Sequence, residues 1–348
     1  MIYKWVIKPL LFLFPPETIH HGVVNGMRLF FRIPFFKKTV QSFFKIQDKR
    51  LETEVLGLKF PNKIGLAAGF DKKANIYNHM AAFGFGHVEI GTVNPLPQPG
   101  NPKPRLFRLK KDKALINRMG FNNPGVDVFV ENLKKDRPEI IIGGNIGKNT
   151  LTSHEDADKD YVTCFRKLYP WVDYFVVNVS CPNIEGLNKL QDKDELIALL
   201  EKINTEKKNF EPQKPILLKI SPDLTELLLD DVIAVVDQCS LDGIIATNTT
   251  TSRNNLQTPE KKLNETGKGG LSGAPLRNKS TEVIRYLVKK TSGKIPVIGV
   301  GGIMSVDDAL EKLEAGASLL QIYTGFVYEG PGLVKRINKE LLKKQKRK

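Results

Sequence analysis

The chain has 348 residues, 41% of them hydrophobic, and a formal net charge of +15. That is enough apolar material for one large core or two modest ones. Its three cysteines, Cys164, Cys181 and Cys239, show neither metal-ligand spacing nor a disulfide framework, which excludes a cross-linked scaffold and points to a reducing compartment.

The positive charge is uneven. Residues 1–50 hold nine Lys and Arg against Glu17 and Asp48, and five of the last six residues are basic. Such a bias suits an anionic membrane surface or nucleic acid, and equally a solvated lysine-rich face. The first apolar run, residues 5–14, is interrupted by Lys8 and Pro9 and lacks a small-residue cleavage site, so it does not read as a secretory signal. It is also shorter than the roughly 20 apolar residues that span a bilayer. After Pro15-Pro16, Ile19, Val23, Met27 and Phe30 recur at helical spacing beside His20, Val24 and Phe31. Phe35, Phe36, Phe43 and Phe44 follow among Lys37, Lys38 and Lys45. Short apolar helices flanked by cations fit a segment lying on a membrane, with a helical cap on the main domain as the alternative.

Residues 52–56 and 58–60 flank Gly57 and fit a small hairpin at the bottom of a barrel. Eight candidate strands come next: 63–68, 87–91, 140–145, 174–179, 216–220, 243–247, 296–300 and 318–323. Amphipathic stretches separate most of them; Leu196, Leu199, Leu200 and Ile203 share one helical face, and Leu229, Val232, Ile233 and Val236 another. Eight β-then-α units predict an α/β fold, a closed (β/α)8 TIM barrel, with a doubly wound open sheet as runner-up. The expected division is an N-terminal helical extension, 1–46, and a barrel domain, 47–348.

Chemistry in such barrels gathers where strands end. The ends here read Ala67-Ala68-Gly69-Phe70-Asp71-Lys72, Gly91-Thr92, Asn145, the run from Asn178 to Asn183, Lys219, Thr247-Asn248-Thr249, Gly299 to Gly302, and Tyr323-Thr324-Gly325. Nearly every one offers glycine, an amide, a hydroxyl or a lysine. Any one of them could be a turn; together they point to a ligand. The last two follow strands seven and eight, the common phosphate site of this fold, where glycines let backbone N–H groups approach an anion. Neither a Walker sequence nor a Rossmann fingerprint is present. Lys219, inside an apolar strand, either faces a ligand that gains negative charge, such as a reduced flavin, or pairs with a barrel carboxylate. His20, His21, His79, His87 and His154 have no metal-binding spacing, and no metal is assigned.

These segments resemble the dihydroorotate dehydrogenase family over essentially the whole chain. The likeness is carried by Leu66 to Lys72, Gly91 to Pro95, Pro102 to Arg108, Asn117 to Phe121, Asn178 to Asn183, Ala246 to Thr249, Gly269 to Gly273 and Gly299 to Gly302. It implies oxidation of dihydroorotate to orotate in pyrimidine synthesis by a flavoprotein containing FMN. The extension, with Phe14 to His20, is similar to the quinone-dependent class, whose N-terminal helices form a quinone tunnel. That class usually has serine as the active-site base; here Cys181 stands at the matching position, as in the soluble class, with Ser180 as a slipped alternative. By resemblance, substrate would meet Lys72, Asn117, Arg118, Met119, Gly120, Phe121, Asn178, Asn183, Asn248 and Thr249. FMN would meet Ala68, Gly69, Lys72, Thr92, Asn145, Asn178, Lys219, Thr247, Gly273, Gly302, Tyr323 and Thr324, and quinone would pass His20 and Arg108.

The expected setting is a monomer peripheral to the cytoplasmic face of a bacterial inner membrane, using ubiquinone or menaquinone and no nucleic acid. The rival readings are a soluble-type enzyme using fumarate or NAD, and a flavin-dependent tRNA dihydrouridine synthase. The latter predicts salt-dependent RNA binding.

Overall fold

A computed structural model describes residues 2–33, 35–136, 138–179 and 193–346. The first two strands, β1 (Thr53–Val55) and β2 (Leu58–Phe60), form an antiparallel hairpin. Eight further strands close into a barrel: β3 (Ile64–Leu66), β4 (His87–Val93), β7 (Ile141–Ile146), β8 (Tyr174–Asn178), β9 (Ile216–Ile220), β10 (Gly243–Ala246), β12 (Val297–Val300) and β13 (Leu319–Ile322). They lie in chain order around the barrel, β13 pairs with β3, and every ladder between them is parallel. This is a (β/α)8 TIM barrel.

Helices cover the outside: α4 (Tyr77–Ala82), α5 (Val126–Lys135), α6 (Ala157–Leu168), α7 (Lys193–Lys207), α8 (Glu226–Gln238), α10 (Arg277–Lys290), α11 (Val306–Glu314), α12 (Thr324–Glu329) and α13 (Gly332–Lys346); α9 (Glu260–Thr266) instead packs Leu263 against Leu109, Ala114, Ile116 and Leu271. Helix α7 buries Leu196, Leu199, Leu200 and Ile203, the face its periodicity predicts. In α8, Val235 is buried while Ile233 is only partly covered, so that stripe is turned slightly from the expected one.

The barrel strands are buried on both faces, so they read as apolar runs, yet period two still sorts their side chains. Phe175 and Val177 pack outward with the helices, while Tyr174 and Val176 point inward. The lower interior is apolar: Phe60 from the hairpin packs with Tyr174, Val176, Leu217, Ile245, Ile298 and Leu319. Gly65 and Gly143 make room there, since a Cβ at either would collide with the ring of His87 or Tyr174. The hairpin therefore closes the barrel bottom.

The candidate strands did not include a second sheet. Strands β5 (Leu106–Leu109), β6 (Ala114–Asn117) and β11 (Gly270–Gly273) form an antiparallel sheet of order β11-β6-β5. It joins segments more than 150 residues apart, so neither local period nor turn chemistry announces the β11 pairing.

Of the N-terminal helices, α1 (Lys8–Leu11) and α2 (Pro16–Phe30) dock beside this sheet, whereas α3 (Phe36–Phe44) packs on α4 and α13. Glu17 of α2 is buried and receives Arg105 Nη2 at 2.7 Å. Burial opposes ionisation of Glu17, but the Arg105 hydrogen bond and charge outweigh it and hold the carboxyl below its ordinary value. Arg108 donates to the Phe14 carbonyl at 2.7 Å, and Tyr3 donates to the Val327 carbonyl at 2.6 Å. The outer face stays apolar: Trp5, Leu10, Leu13, Leu29, Phe30, Phe35 and Phe43 are all exposed. Among the described residues no helix is long and apolar enough to cross a membrane.

Truncating the hairpin plug tests this account of the core. Phe60→Ala should cost about 3–5 kcal/mol, read as a lower midpoint in chemical denaturation. A loss below about 1 kcal/mol would mean that the hairpin does not fill the barrel.

Candidate active site

Above the apolar layer the barrel interior turns polar, and one carboxylate organises the change. Glu89 on β4 is fully buried. Its Oε1 accepts from Lys219 Nζ at 2.9 Å and Asn145 Nδ2 at 2.7 Å, and its Oε2 accepts from Gln321 Nε2 at 2.7 Å. Buried charge is tolerable when paired and hydrogen-bonded, and here the donors come from β7, β9 and β13. Of the two alternatives for Lys219, the carboxylate partner exists, and the lysine also lines the cavity above it.

The network rises toward the strand ends. Thr92 Oγ1 donates to Asn145 Oδ1 at 2.6 Å, and Asn178 Nδ2 donates to both Thr92 Oγ1 and Asn145 Oδ1, at 3.0 and 3.2 Å. Asn248 Nδ2 reaches Asn178 Oδ1 at 3.4 Å. Because Glu89 can only accept, every amide below Asn248 has its orientation set. Tyr161 on α6 donates to the Asn178 carbonyl at 2.9 Å and steadies the end of β8.

A cavity of about 510 Å³ opens over this floor. Of the expected cofactor residues, Ala68, Gly69, Lys72, Thr92, Asn178, Lys219, Thr247, Gly273, Gly302, Tyr323 and Thr324 line it. Asn145 lies beneath, bonded to Thr92. Of the expected substrate residues, Lys72, Asn117, Met119, Gly120, Phe121, Asn178, Asn248 and Thr249 line it as well. Arg118 does not: its guanidinium donates to the carbonyls of Pro104 and Thr266 at 2.9 Å. Cys181 and Asn183 lie outside the described residues.

The loop after β3 is shaped by Asp71, whose carboxylate accepts backbone N–H groups of Asn75 at 3.0 Å and Ile76 at 2.9 Å. Burial nevertheless pushes the Asp71 pKa up, against those donors. Lys72 then projects over the cavity and donates to Asn122 Oδ1 at 2.7 Å. On the far wall Ser272 and Thr324 share a hydrogen bond of 2.8 Å. At Gly302 (φ 71°) a Cβ would fall 2.2 Å from Arg277 Cα, and at Gly273 (φ 100°) 2.4 Å from the Lys113 carbonyl oxygen. Only glycine leaves both backbones this close to their neighbours, which is the approach an anion-binding turn needs.

The cavity does not stop at the barrel mouth. It continues under α2, where Glu17, His20, His21, Val24, Asn25 and Arg28 line it. The His20 ring meets Phe70 edge-on at 4.9 Å, and Phe70 meets Tyr323 at 5.5 Å. Burial, with Lys72 and His21 nearby, pulls His20 down to about 4, so its ring is neutral at pH 7. Arg108 stands outside the cavity, over the Phe12 ring at 4.4 Å.

A family profile described as dihydroorotate dehydrogenase matches residues 50–344. The chain belongs to the dihydroorotate dehydrogenase family. A relative from Christiangramia forsetii, named dihydroorotate dehydrogenase (quinone), is 53% identical over 343 residues, covering 99% of both chains. A protein of the same name from Thermosynechococcus vestitus is 45% identical over 356 residues, covering 98% of this chain and 96% of its own. Among solved structures, ligand-free DHODH from Eimeria tenella matches with a TM-score of 0.85 at 36% identity, covering 94% of each chain. Likeness at this level spans both the barrel and the N-terminal helices.

Sequence reasoning missed Glu89, Gln321 and Arg105 as parts of this dehydrogenase fold. Glu89 did carry a signal, a lone acid in the apolar run 87–91, and Lys219 was the cation awaiting it. Replacing it as Glu89→Gln leaves the Lys219 ammonium buried without its carboxylate. The expected cost is about 3–5 kcal/mol in denaturant unfolding, largely recovered in Glu89→Gln/Lys219→Met. Additive losses in the double variant would refute the coupling.

Proposed function

We propose that this chain oxidises dihydroorotate to orotate with FMN as its flavin, and passes the electrons to a quinone that enters beneath α2. The observation that carries this is the single cavity, polar at the barrel mouth and continuous with the space under the N-terminal helices. The relatives' names support the quinone class over the soluble one and over a tRNA-modifying enzyme.

The residues suit FMN. Gly273, Gly302 and Thr324 offer a close backbone approach for the phosphate, and Lys219 offers a buried cation for the ring. When bound, FMN would supply two-electron redox chemistry, with hydride leaving substrate C6 and the electrons passing on to the quinone. The chain's own residues bind and deprotonate. Lys72 would pair with the substrate carboxylate, and the amides of Asn117, Asn178 and Asn248 would meet the alternating N–H and C=O groups of the pyrimidine ring. Asn183 belongs to the same set on sequence grounds.

The proton leaves C5, next to a carbonyl, and Cys181 would take it. Its candidacy rests on the sequence, three residues beyond Asn178, where β8 ends at the cavity. A free thiol with a pKa of about 8.5 needs less help at neutral pH than a hydroxyl does. Residues 1–46 would form the membrane-facing extension, with exposed aromatic and aliphatic side chains entering an anionic cytoplasmic leaflet and its lysines and arginines at the headgroups. The barrel, residues 47–348, would work as a monomer. His20, at the junction, would line the quinone path.

Two experiments test this reading. The full-length protein should reduce a soluble ubiquinone analogue with dihydroorotate far faster than fumarate or NAD, and removal of residues 1–45 should abolish quinone reduction while dye-linked oxidation survives. Preferred reduction of fumarate or NAD would overturn the acceptor assignment. For the base, Cys181→Ala should lose most turnover yet still bind flavin, and Cys181→Ser should keep partial activity with an alkaline-shifted pH profile. An unchanged rate and profile in the serine variant would rule the cysteine out as base.

A further inference from the structure

Lys312 on α11 is a buried cation that the mechanism above does not use. Its exposure is 0%, and its Nζ donates to the Arg277 carbonyl at 3.3 Å, Ser280 Oγ at 3.1 Å and Thr281 Oγ1 at 3.0 Å. All three acceptors belong to the opening of α10. Among the described residues no carboxylate lies within ion-pair distance of Lys312. The nearby acids on its own helix, Asp308 and Glu311, are engaged by Arg277 of α10, through Nη1 at 2.8 Å and Nε at 2.7 Å. Burial pulls the Lys312 pKa down to about 7; Glu311 and Asp308 oppose this, and Arg277 adds to it.

Three neutral acceptors satisfy the N–H groups of an ammonium but give it no direct carboxylate partner, and burying a charge so placed is costly. Two short links lead from this charge to the cavity wall. Ser280 Oγ, which accepts from Lys312, donates to the carbonyl of Val300 at 2.5 Å, immediately before Gly301-Gly302. Gly302 itself packs on the Arg277 backbone, whose carbonyl is the second Lys312 acceptor. Val300, Gly301 and Gly302 all line the cavity.

We propose that Lys312 is a positioning residue for the phosphate end of the flavin: it clamps the start of α10 against the Gly301–Gly302 turn and sets a positive charge behind that turn. This rests on the FMN reading above and extends it to selectivity between a flavin that carries a phosphate monoester and one that does not. A clamp alone would serve any flavin; the charge favours the phosphate.

Flavin fluorescence titrations of the full-length chain with FMN and with riboflavin test this. The unsubstituted chain should bind FMN more tightly. In Lys312→Met the ratio of FMN to riboflavin affinity should fall about tenfold or more, the order expected of a charge pair across protein at intermediate dielectric. Riboflavin affinity should fall less, by the loss of the clamp alone. Equal loss for both flavins, or no loss for FMN, would overturn the proposal and leave Lys312 a structural clamp. The unsubstituted chain gives a second arm that needs no variant. The flavin phosphate stays dianionic above about pH 6, so the ratio should fall as pH rises from 7 to 9 and Lys312 releases its proton. A flat profile overturns the proposal. Failure to bind FMN at all in the unsubstituted chain would instead sink the flavin reading, a distinct result.

Discussion

The Glu89 carboxylate is the constraint on which the site depends. It lies within the barrel, cut off from solvent, and a charge there is tolerable only if its acceptor capacity is met from several directions. Lys219, Asn145 and Gln321 meet it from three different strands. That requirement aligns the upper ends of β4, β7, β9 and β13 against one another. It also propagates: with Asn145 Nδ2 committed to Glu89, its Oδ1 must accept, so Thr92 and Asn178 present donors to it. The amide array facing the cavity is thus ordered by an acid that does not line the cavity.

The same strands carry two layers of different chemistry, separated by two residues of pleat. Tyr174 and Val176 face the apolar lower interior, and Asn178 faces the cavity. On β9 the step is Leu217 to Lys219, and on β13 it is Leu319 to Gln321. A one-residue slip of any strand would exchange inward and outward faces and bury amides among the helices. The apolar layer, stopped from below by Phe60, therefore fixes the register that presents the polar layer above it.

What could be read from the sequence follows from what is local. Strand ends carry glycine, amide, hydroxyl and lysine in a regular order, so the barrel and most of the cavity lining were visible as pattern. The resemblance singled out Gly269 to Gly273 as a motif, yet its existence as β11 depends on pairing with β6, far away in the chain. Glu89 and Lys219 are 130 residues apart, and only closure of the barrel makes them neighbours. Arg105 and Arg108 show the same limit at shorter range. Three positions apart in one segment, they divide their work by exposure and partner: Arg105 is buried on Glu17, whereas Arg108 takes the Phe14 carbonyl and stacks on Phe12. No sequence pattern distinguishes them.

The Arg105–Glu17 pair explains why the N-terminal helices share a cavity with the barrel. An exposed ion pair would stabilise docking little, but this one is buried on both sides; losing Glu17 strands the Arg105 charge, and losing Arg105 leaves Glu17 only the more distant Lys103 at 4.0 Å. It fixes the first turn of α2, the turn that leads into His20 and the cavity. Sign follows from the depressed Glu17 pKa: the pair contributes fully above the unfolded carboxyl pKa and is lost as pH falls through the folded one. Near neutrality α2 is therefore held at its root, while the apolar residues at its far end, Leu29 and Phe30, remain exposed. A helix pinned at one end over the cavity and apolar at the other joins the buried site to a hydrophobic surface.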